Sequence, residues 1–348
     1  MVDSVRRVDF EPGTPAQLVL DGLRAWLAAP VEPEPLIVET SGSTGAPKRV
    51  RLSRPAILAS IAATERRLGG SGRWALALPP TYVAGIQVIC RSLVAGHEPV
   101  LSEHASLVTA LGAAPSTTDT FLSLVPTQLR RLLEDPASVS ALRDVHTILL
   151  GGGPTDPALR RRAAEEGLRV VATYGSAETA GGCVYDGYPL DDVGVDVDAD
   201  GRIRISGPTL FDGYEGDPEL TSRLLVDGWF LTSDAGRLDD DGRLHVLGRL
   251  DDVVVSGGVN VPLPAVAARL RAHPDLAAAE VIGVPDEEWG QRVVAYVVAT
   301  RPVSLLEVRD WVARAHPRSW APQEVVPLDA LPMLDNGKVD RMALKELA

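Results

Sequence analysis

Thr40-Ser41-Gly42-Ser43-Thr44-Gly45-Ala46-Pro47-Lys48 sets four small hydroxyl residues and two glycines in six consecutive positions, shortly ahead of a lysine. Such a stretch lets the backbone fold tightly with N–H and O–H donors turned inward, a nest for phosphate oxygens. Lys48 adds a full positive charge at its end. Strand-like runs flank it, at 36–39 and 49–52. It is not a Walker loop, which needs Gly, four residues, then Gly-Lys-Ser/Thr. Here Pro47 precedes the lysine and Arg49 follows it. A Ser/Gly surface linker is the competing reading, but a linker has no reason to end in Pro-Lys between two strands.

Outward from this stretch, strands and helices alternate. Strands are expected at 74–78, 121–124, 147–150 and 170–173, with helices at 55–68, 126–134 and 157–166. That alternation predicts an α/β domain with mostly parallel sheets. Upstream, 16–27 has the helical spacing of Leu18, Leu23, Trp26 and Leu27 and is stopped by the Pro/Glu run 31–35. After Ala180, short strands at 201–206, 228–231 and 242–247 alternate with Asp/Gly turns, which predicts a small β subdomain. Beyond residue 252 come a strand at 253–255, a helix at 264–272, strands at 279–284 and 293–298, and a helix at 305–315. The expected organisation is a large N-terminal domain, 1–248, and a small mobile α+β C-terminal domain, 249–348, of ordinary domain size.

Composition narrows the function classes. A chain of 348 residues suits one large and one smaller domain, and 45% apolar with 23% charged residues is ordinary for a globular protein. A formal net charge of −13 argues against nucleic acid as the main partner. No apolar run is long enough for a membrane span. The N-terminal residues Asp3, Arg6, Arg7, Asp9 and Glu11 interrupt any signal-peptide core, so a cytoplasmic location is expected. Cys90 and Cys183 have no partners at metal spacing and read as buried thiols in a reducing compartment. The chain has three lysines, Lys48, Lys338 and Lys345, and two of them lie in Gly-containing motifs.

Five further motifs follow in order: Gly151-Gly152-Gly153-Pro154, Tyr174-Gly175-Ser176-Ala177-Glu178-Thr179, Trp229-Phe230-Leu231-Thr232-Ser233-Asp234, Gly248-Arg249-Leu250-Asp251-Asp252, and Asp335-Asn336-Gly337-Lys338-Val339-Asp340-Arg341. Read singly, they are a β–α turn, a solvated loop carboxylate, an Asp turn, a charged linker and an Asn-Gly hairpin. Together with the phosphate stretch they resemble the AMP-forming acyl-CoA synthetases, or adenylate-forming enzymes, from about residue 36 to the C-terminus. The resemblance implies that Thr40, Ser41, Gly42, Ser43, Thr44, Gly45 and Lys48 hold ATP phosphates. Gly151, Gly152, Gly153, Tyr174, Gly175, Ser176 and Thr179 would complete the nucleotide site. Glu178 would carry Mg²⁺, a hard cation that takes one or two carboxylates plus phosphates and water. Asp234 and Arg249 would hold the ribose, Asp251 would be the pivot of the C-terminal domain, and Gly257 and Gly258 would leave room for coenzyme A. Ala177 stands where the family has threonine, and Ser233 where it has glycine.

The implied reaction joins a carboxylic acid to AMP and then to coenzyme A. Lys338, Glu178 and Lys48 would be the catalytic residues. Lys338 would offset the repulsion between the acid and the α-phosphate, then withdraw so that the thiol can enter. The short N-terminal part resembles the compact o-succinylbenzoate–CoA ligases of menaquinone synthesis. Tyr82 stands where the family usually has histidine. Tyr82, Gln87, Arg91 and Gly175 are the candidates for the acid, with Arg91 facing a second carboxylate. Another aryl- or acyl-CoA ligase, an enzyme loading a carrier-protein thiol, and an inactive nucleotide-binding protein stay open, as does a homodimer.

Overall fold

The structure, a computed structural model, describes residues 8–40, 47–101, 107–112, 118–334 and 339–347. It divides into two compact units, one of Met1–Asp196, Arg204–Leu231 and Asp240–Leu244, the other of Val197–Ile203, Thr232–Asp239 and His245–Ala348.

The first unit is built on a seven-stranded sheet in the order Val100–Leu101, Arg73–Leu76, Thr120–Leu124, Thr147–Leu150, Val170–Ser176, Gly181–Tyr185, Tyr188–Pro189. The first five strands run parallel. The last two turn back antiparallel. Strands covered on both faces read as continuous apolar runs, and Thr120–Leu124 is buried at every position. Leu122 and Leu124 face Leu129, Leu142 and Leu159, while Phe121 stacks on Trp74 with ring centroids 5.0 Å apart. At one edge, Arg67 donates to the carbonyls of Tyr188, at 3.2 Å, and of Pro189.

Helix starts follow local chemistry. Asp135-Pro136, Asp156-Pro157 and Asp217-Pro218 each open a helix, the carboxylate accepting from backbone N–H groups two or three residues on. Proline at the first helical position has no N–H to leave unsatisfied. The last of these helices, Pro218–Leu224, was not anticipated. The helix expected at 126–134 is Pro126–Leu132, and Pro136 opens a further helix, Pro136–Arg143, that was not anticipated either.

The helix Ala16–Leu27 has the expected bounds but a different buried stripe. Val19, Leu20, Leu23 and Trp26 are buried, whereas Leu18 is 59% exposed. Trp26 Nε1 donates to the Glu34 carbonyl at 2.9 Å, tying the Pro/Glu run back onto the helix.

A three-stranded antiparallel sheet joins Leu36–Thr40, Lys48–Leu52 and Gly213–Tyr214. The expected β subdomain is a five-stranded sheet of Gly194–Val197, Arg202–Ser206, Trp229–Leu238 and Leu225–Val226, with Leu244–Arg249 also on the long strand. That long strand replaces the short one expected at 228–231.

The second unit contains a sheet in the order Val259–Pro262, Val253–Ser256, Gly290–Ala299, Leu276–Asp286, with Glu324–Pro327 parallel to Gly290–Ala299. The two-residue alternation of a strand is plain here. Val293, Ala295 and Val297 pack with Val266 and Leu270 of the helix Leu263–Arg271 and with Val308 and Val312 of the helix Leu305–Ala313. Val294 and Tyr296 face Ile282 and Leu344 on the other side. Gly248 has φ +136°, and a Cβ there would sit 2.5 Å from Pro264, so this position admits little but glycine.

The buried stripe of the first helix gives a direct test. Leu23→Ala should cost about 2–5 kcal/mol of stability, whereas Leu18→Ala should stay within about 0.5 kcal/mol. Denaturant melts of the two variants would check this, and equal losses would refute the assigned face.

Candidate active site

In the first unit the strand register holds the two ends of the phosphate stretch together. Thr40 lies opposite Lys48, and Thr40 Oγ1 donates to the Lys48 carbonyl at 3.4 Å. Ser41, Gly42, Ser43, Thr44 and Gly45 lie outside the described residues. On the other side of the Lys48–Leu52 strand, Tyr214 is paired with Val50. Lys48 Nζ sits 5.5 Å from the Tyr214 ring centroid, within cation–π range. The Tyr214 hydroxyl donates to Glu178 Oε1 at 2.8 Å.

Glu178 is 8% exposed. Its Oε1 accepts from Tyr214. A buried carboxylate in that state is costly unless a cation or further donor meets it. Burial, and then the negative charge of Glu178, hold the Tyr214 phenol well above its ordinary pKa, so it remains a donor.

The turn carrying Glu178 is gripped from several sides. It is a single 3₁₀ turn, Ala177–Thr179, after the strand Val170–Ser176. Thr179 Oγ1 accepts from the Ser176 N–H at 2.9 Å and donates to the Gly181 carbonyl at 2.7 Å. Ala180 takes the left-handed conformation, φ 51°. Its carbonyl accepts from Gln87 Nε2 at 2.7 Å and Ser60 Oγ at 3.2 Å. The Phe211 N–H donates to the Glu178 carbonyl at 2.9 Å. Gly175 is required by the same crowding, since a Cβ there would lie 2.1 Å from the Gly181 carbonyl.

Two polar atoms at this turn are buried without a partner among the described residues: Ser176 Oγ and Gln87 Oε1. Buried polar atoms are normally paired, so these are positions where a ligand group can bond. Gly151, Gly152 and Gly153 follow Thr147–Leu150, which is parallel to Val170–Ser176. They therefore lie at the same sheet edge as Tyr174, Gly175 and Ser176. Gly153 and Gly152 are exposed there. Tyr82 immediately precedes the helix Val83–Val94.

Gln87 and Arg91, one turn apart on that helix, meet different surroundings. Arg91 is 4% exposed, and its Nη2 donates to Thr64 Oγ1 at 3.2 Å and Tyr185 Oη at 3.4 Å. Its guanidinium carbon lies 4.8 Å from the Trp74 ring centroid. Burial raises the Glu65 pKa, and the Arg91 charge draws it back down. Arg91 thus has a carboxylate of this chain within its field. Both cysteines are buried, which pushes each thiol up to about 12 and keeps it unreactive.

The second unit carries the remaining candidates. Asp234 lies on Trp229–Leu238 and Arg249 ends the neighbouring strand Leu244–Arg249. The Asp234 N–H donates to Thr232 Oγ1 at 3.0 Å, and that hydroxyl donates to the Ile203 carbonyl at 2.7 Å. Asp251 lies in the short turn Leu250–Asp252. Gly257 and Gly258, at φ 55° and 76°, form the hairpin turn between Val253–Ser256 and Val259–Pro262. Lys338 lies outside the described residues. Tyr214 and Thr232 were not among the candidates. Tyr214 follows a glycine in a two-residue strand with no periodicity to mark it, while Thr232 was visible only as part of a motif.

A Ser/Thr/Gly stretch ending at Lys48, a glycine loop at a sheet edge and a buried carboxylate after the neighbouring strand all belong to the first unit, in keeping with a nucleotide-dependent ligase. The chain belongs to the AMP-binding enzyme family: residues 30–215 match the AMP-binding enzyme domain and 265–338 the AMP-binding enzyme C-terminal domain. It is 42% identical over 323 residues to a probable 2-succinylbenzoate–CoA ligase of Mycobacterium tuberculosis, covering 89% of this chain and 83% of that one. Among solved structures it resembles the o-succinylbenzoate CoA synthetase of Bacillus subtilis in complex with its acyl-adenylate intermediate. The TM-score is 0.77 at 30% identity, covering 89% of this chain and 68% of the other. The same enzyme in complex with ATP and magnesium ion gives 0.77 at 30%, covering 89% and 69%.

The Tyr214 phenol yields a pH test. A phenol whose pKa is raised by folding contributes stability below its unfolded value, near pH 10, and that contribution is lost as pH climbs past it. Tyr214→Phe should therefore flatten the fall in melting temperature between about pH 9 and 11. An unchanged slope would show that Tyr214 does not feel Glu178.

Proposed function

We propose that this chain is an ATP-dependent acid–thiol ligase that converts 2-succinylbenzoate to its CoA thioester through an acyl-adenylate, in the cytoplasm. The observation that carries the reading is the buried Glu178 carboxylate, with one oxygen held by the Tyr214 hydroxyl and Lys48 over that ring. It stands in a chain whose relatives are named for that reaction.

Glu178 would hold Mg²⁺, which would supply charge neutralisation at the ATP phosphates. Lys48 and the donors of Thr40 to Gly45 hold the phosphate tail. Gly151, Gly152, Gly153, Tyr174 and Gly175 border the adenine, and Asp234 and Arg249 bond the ribose. A carboxylate offers the two acceptor oxygens that two ribose hydroxyls need. The acid lies against Tyr82 and the 175–181 turn, where Ser176 Oγ and Gln87 Oε1 are the unpaired polar atoms. Gln87 Nε2 is already committed to Ala180, and Arg91 supports the helix from inside.

Two anions meet in the first step, the acid and the α-phosphate. Lys338 supplies the opposing charge there, as a fixed electrostatic stabiliser. In the second step Lys338 leaves, the segment 249–348 swings about Asp251, and the thiol enters beside Gly257 and Gly258.

The test is acid-dependent pyrophosphate release with 2-succinylbenzoate, benzoate and succinate compared, followed by detection of the CoA thioester by mass spectrometry. The diacid with its aromatic ring should be preferred by a wide margin. Glu178→Gln should lower pyrophosphate release on the order of 10²-fold. Lys338→Ala should cripple adenylate formation while sparing thioester formation from preformed acyl-adenylate. Equal turnover of all three acids, or equal loss of both half-reactions in Lys338→Ala, would overturn the assignment.

A further inference from the structure

The second unit holds a charged network that none of the chemical steps above uses. Arg341 Nη1 donates to Asp252 Oδ1 at 2.5 Å, and its Nη2 donates to the Val281 carbonyl at 3.0 Å. Arg341 Nε lies 3.4 Å from Glu280 Oε1. Glu280, only 9% exposed, also accepts from Arg271 Nη2 at 3.1 Å through its other oxygen. Two guanidinium groups and two carboxylates thus balance at the edge of the sheet. Charge-assisted bonds in such partly buried sites are strong and directional, and removing one member leaves a charge uncompensated.

The positions of the two ends in the chain matter more than their strength. Asp252 is the residue directly after Asp251. Arg341 is the third residue after Lys338. The segment between Lys338 and Arg341 is itself pinned. Val339 bridges Met333, and the Asp340 N–H donates to the Pro332 carbonyl at 2.8 Å. Asp340 Oδ1 caps the helix Arg341–Glu346 through Met342 N and Ala343 N, each at 3.0 Å. Leu344, fully buried, anchors that helix against Ile282, Val294 and Tyr296.

We infer that Arg341 and Asp252 are positioning residues that lock the start of the swinging segment to the base of the Lys338 segment. Rotation is then confined to Asp251 and the backbone before it, and residues 339–347 turn together with the residues that follow the pivot. This inference rests on the proposed roles of Asp251 and Lys338. Adenylation needs Lys338 delivered to one place, so it depends on the lock. Thioester formation needs Lys338 only to be gone, so it tolerates a loose one.

The test uses the full chain with Asp252→Asn, Arg341→Met and the double variant. Adenylate formation should fall about 10-fold or more in each, while thioester formation from preformed acyl-adenylate changes by less than about twofold. The double variant should be no worse than the poorer single one, since both break one interaction. Arg341→Lys should recover part of the rate. In parallel, hydrogen exchange of residues 339–347 should quicken in Asp252→Asn, which lies far away in sequence. Equal losses in both half-reactions, additive losses, or unchanged exchange at 339–347 would each overturn the lock. Wild-type chain inert toward every acid would instead sink the functional reading, and the exchange experiment would still decide whether the tie exists.

Discussion

A carboxylate pushed out of water must be met by something. In this protein the meeting of Glu178 with Tyr214 is the constraint from which the rest of the first unit follows. The phenol reaches Glu178 only because Gly213–Tyr214 adds to the strand that begins at Lys48. The carboxylate stays put because Thr179, Gln87, Ser60 and Phe211 each hold the backbone of its turn. Break the turn and the carboxylate finds water; break the strand and the phenol withdraws. The geometry therefore couples the three-stranded sheet to the parallel sheet through the Tyr214–Glu178 hydrogen bond, with the Phe211 N–H beside it.

The arrangement also shows how an acidic chain can handle an anionic substrate. Net charge sets the far field, but a phosphate is bound by what lies within a few ångströms. Here one of only three lysines stands at the end of a stretch of small donors, and its charge lies against an aromatic face. Several arginines are spent elsewhere, in pairs such as Arg66 with Asp191 and Arg301 with Asp275. Those surface pairs contribute little individually.

Much of the architecture was legible because the physics is local. Continuous apolar runs such as 121–124 and 147–150 have few alternatives to buried parallel strands, and Asp-Pro pairs announce helix starts. The bounds of the helix Ala16–Leu27 were readable from its breakers, but its stripe was not. Leucines at 18 and 20 look alike until tertiary packing chooses Leu20 and leaves Leu18 outside. Gln87 and Arg91 carried the same kind of expectation. Their surroundings differ because a neighbouring strand supplies Tyr185 to one and the turn supplies Ala180 to the other, which no spacing along the helix encodes. Tyr214 was invisible for a related reason. Its role depends on a strand pairing between residues far apart in sequence, and a two-residue strand has no pattern of its own.

The seven-stranded sheet has one more property. Its outermost strands are two residues long on either side, Val100–Leu101 and Tyr188–Pro189. At one of them a proline lacks the N–H that an incoming strand would need, and Arg67 already donates to the Tyr188 and Pro189 carbonyls. A growing cross-β stack requires a free ladder of several residues. This sheet offers none at that border, which withholds there the template for edge-to-edge pairing that its long apolar inner strands would otherwise extend.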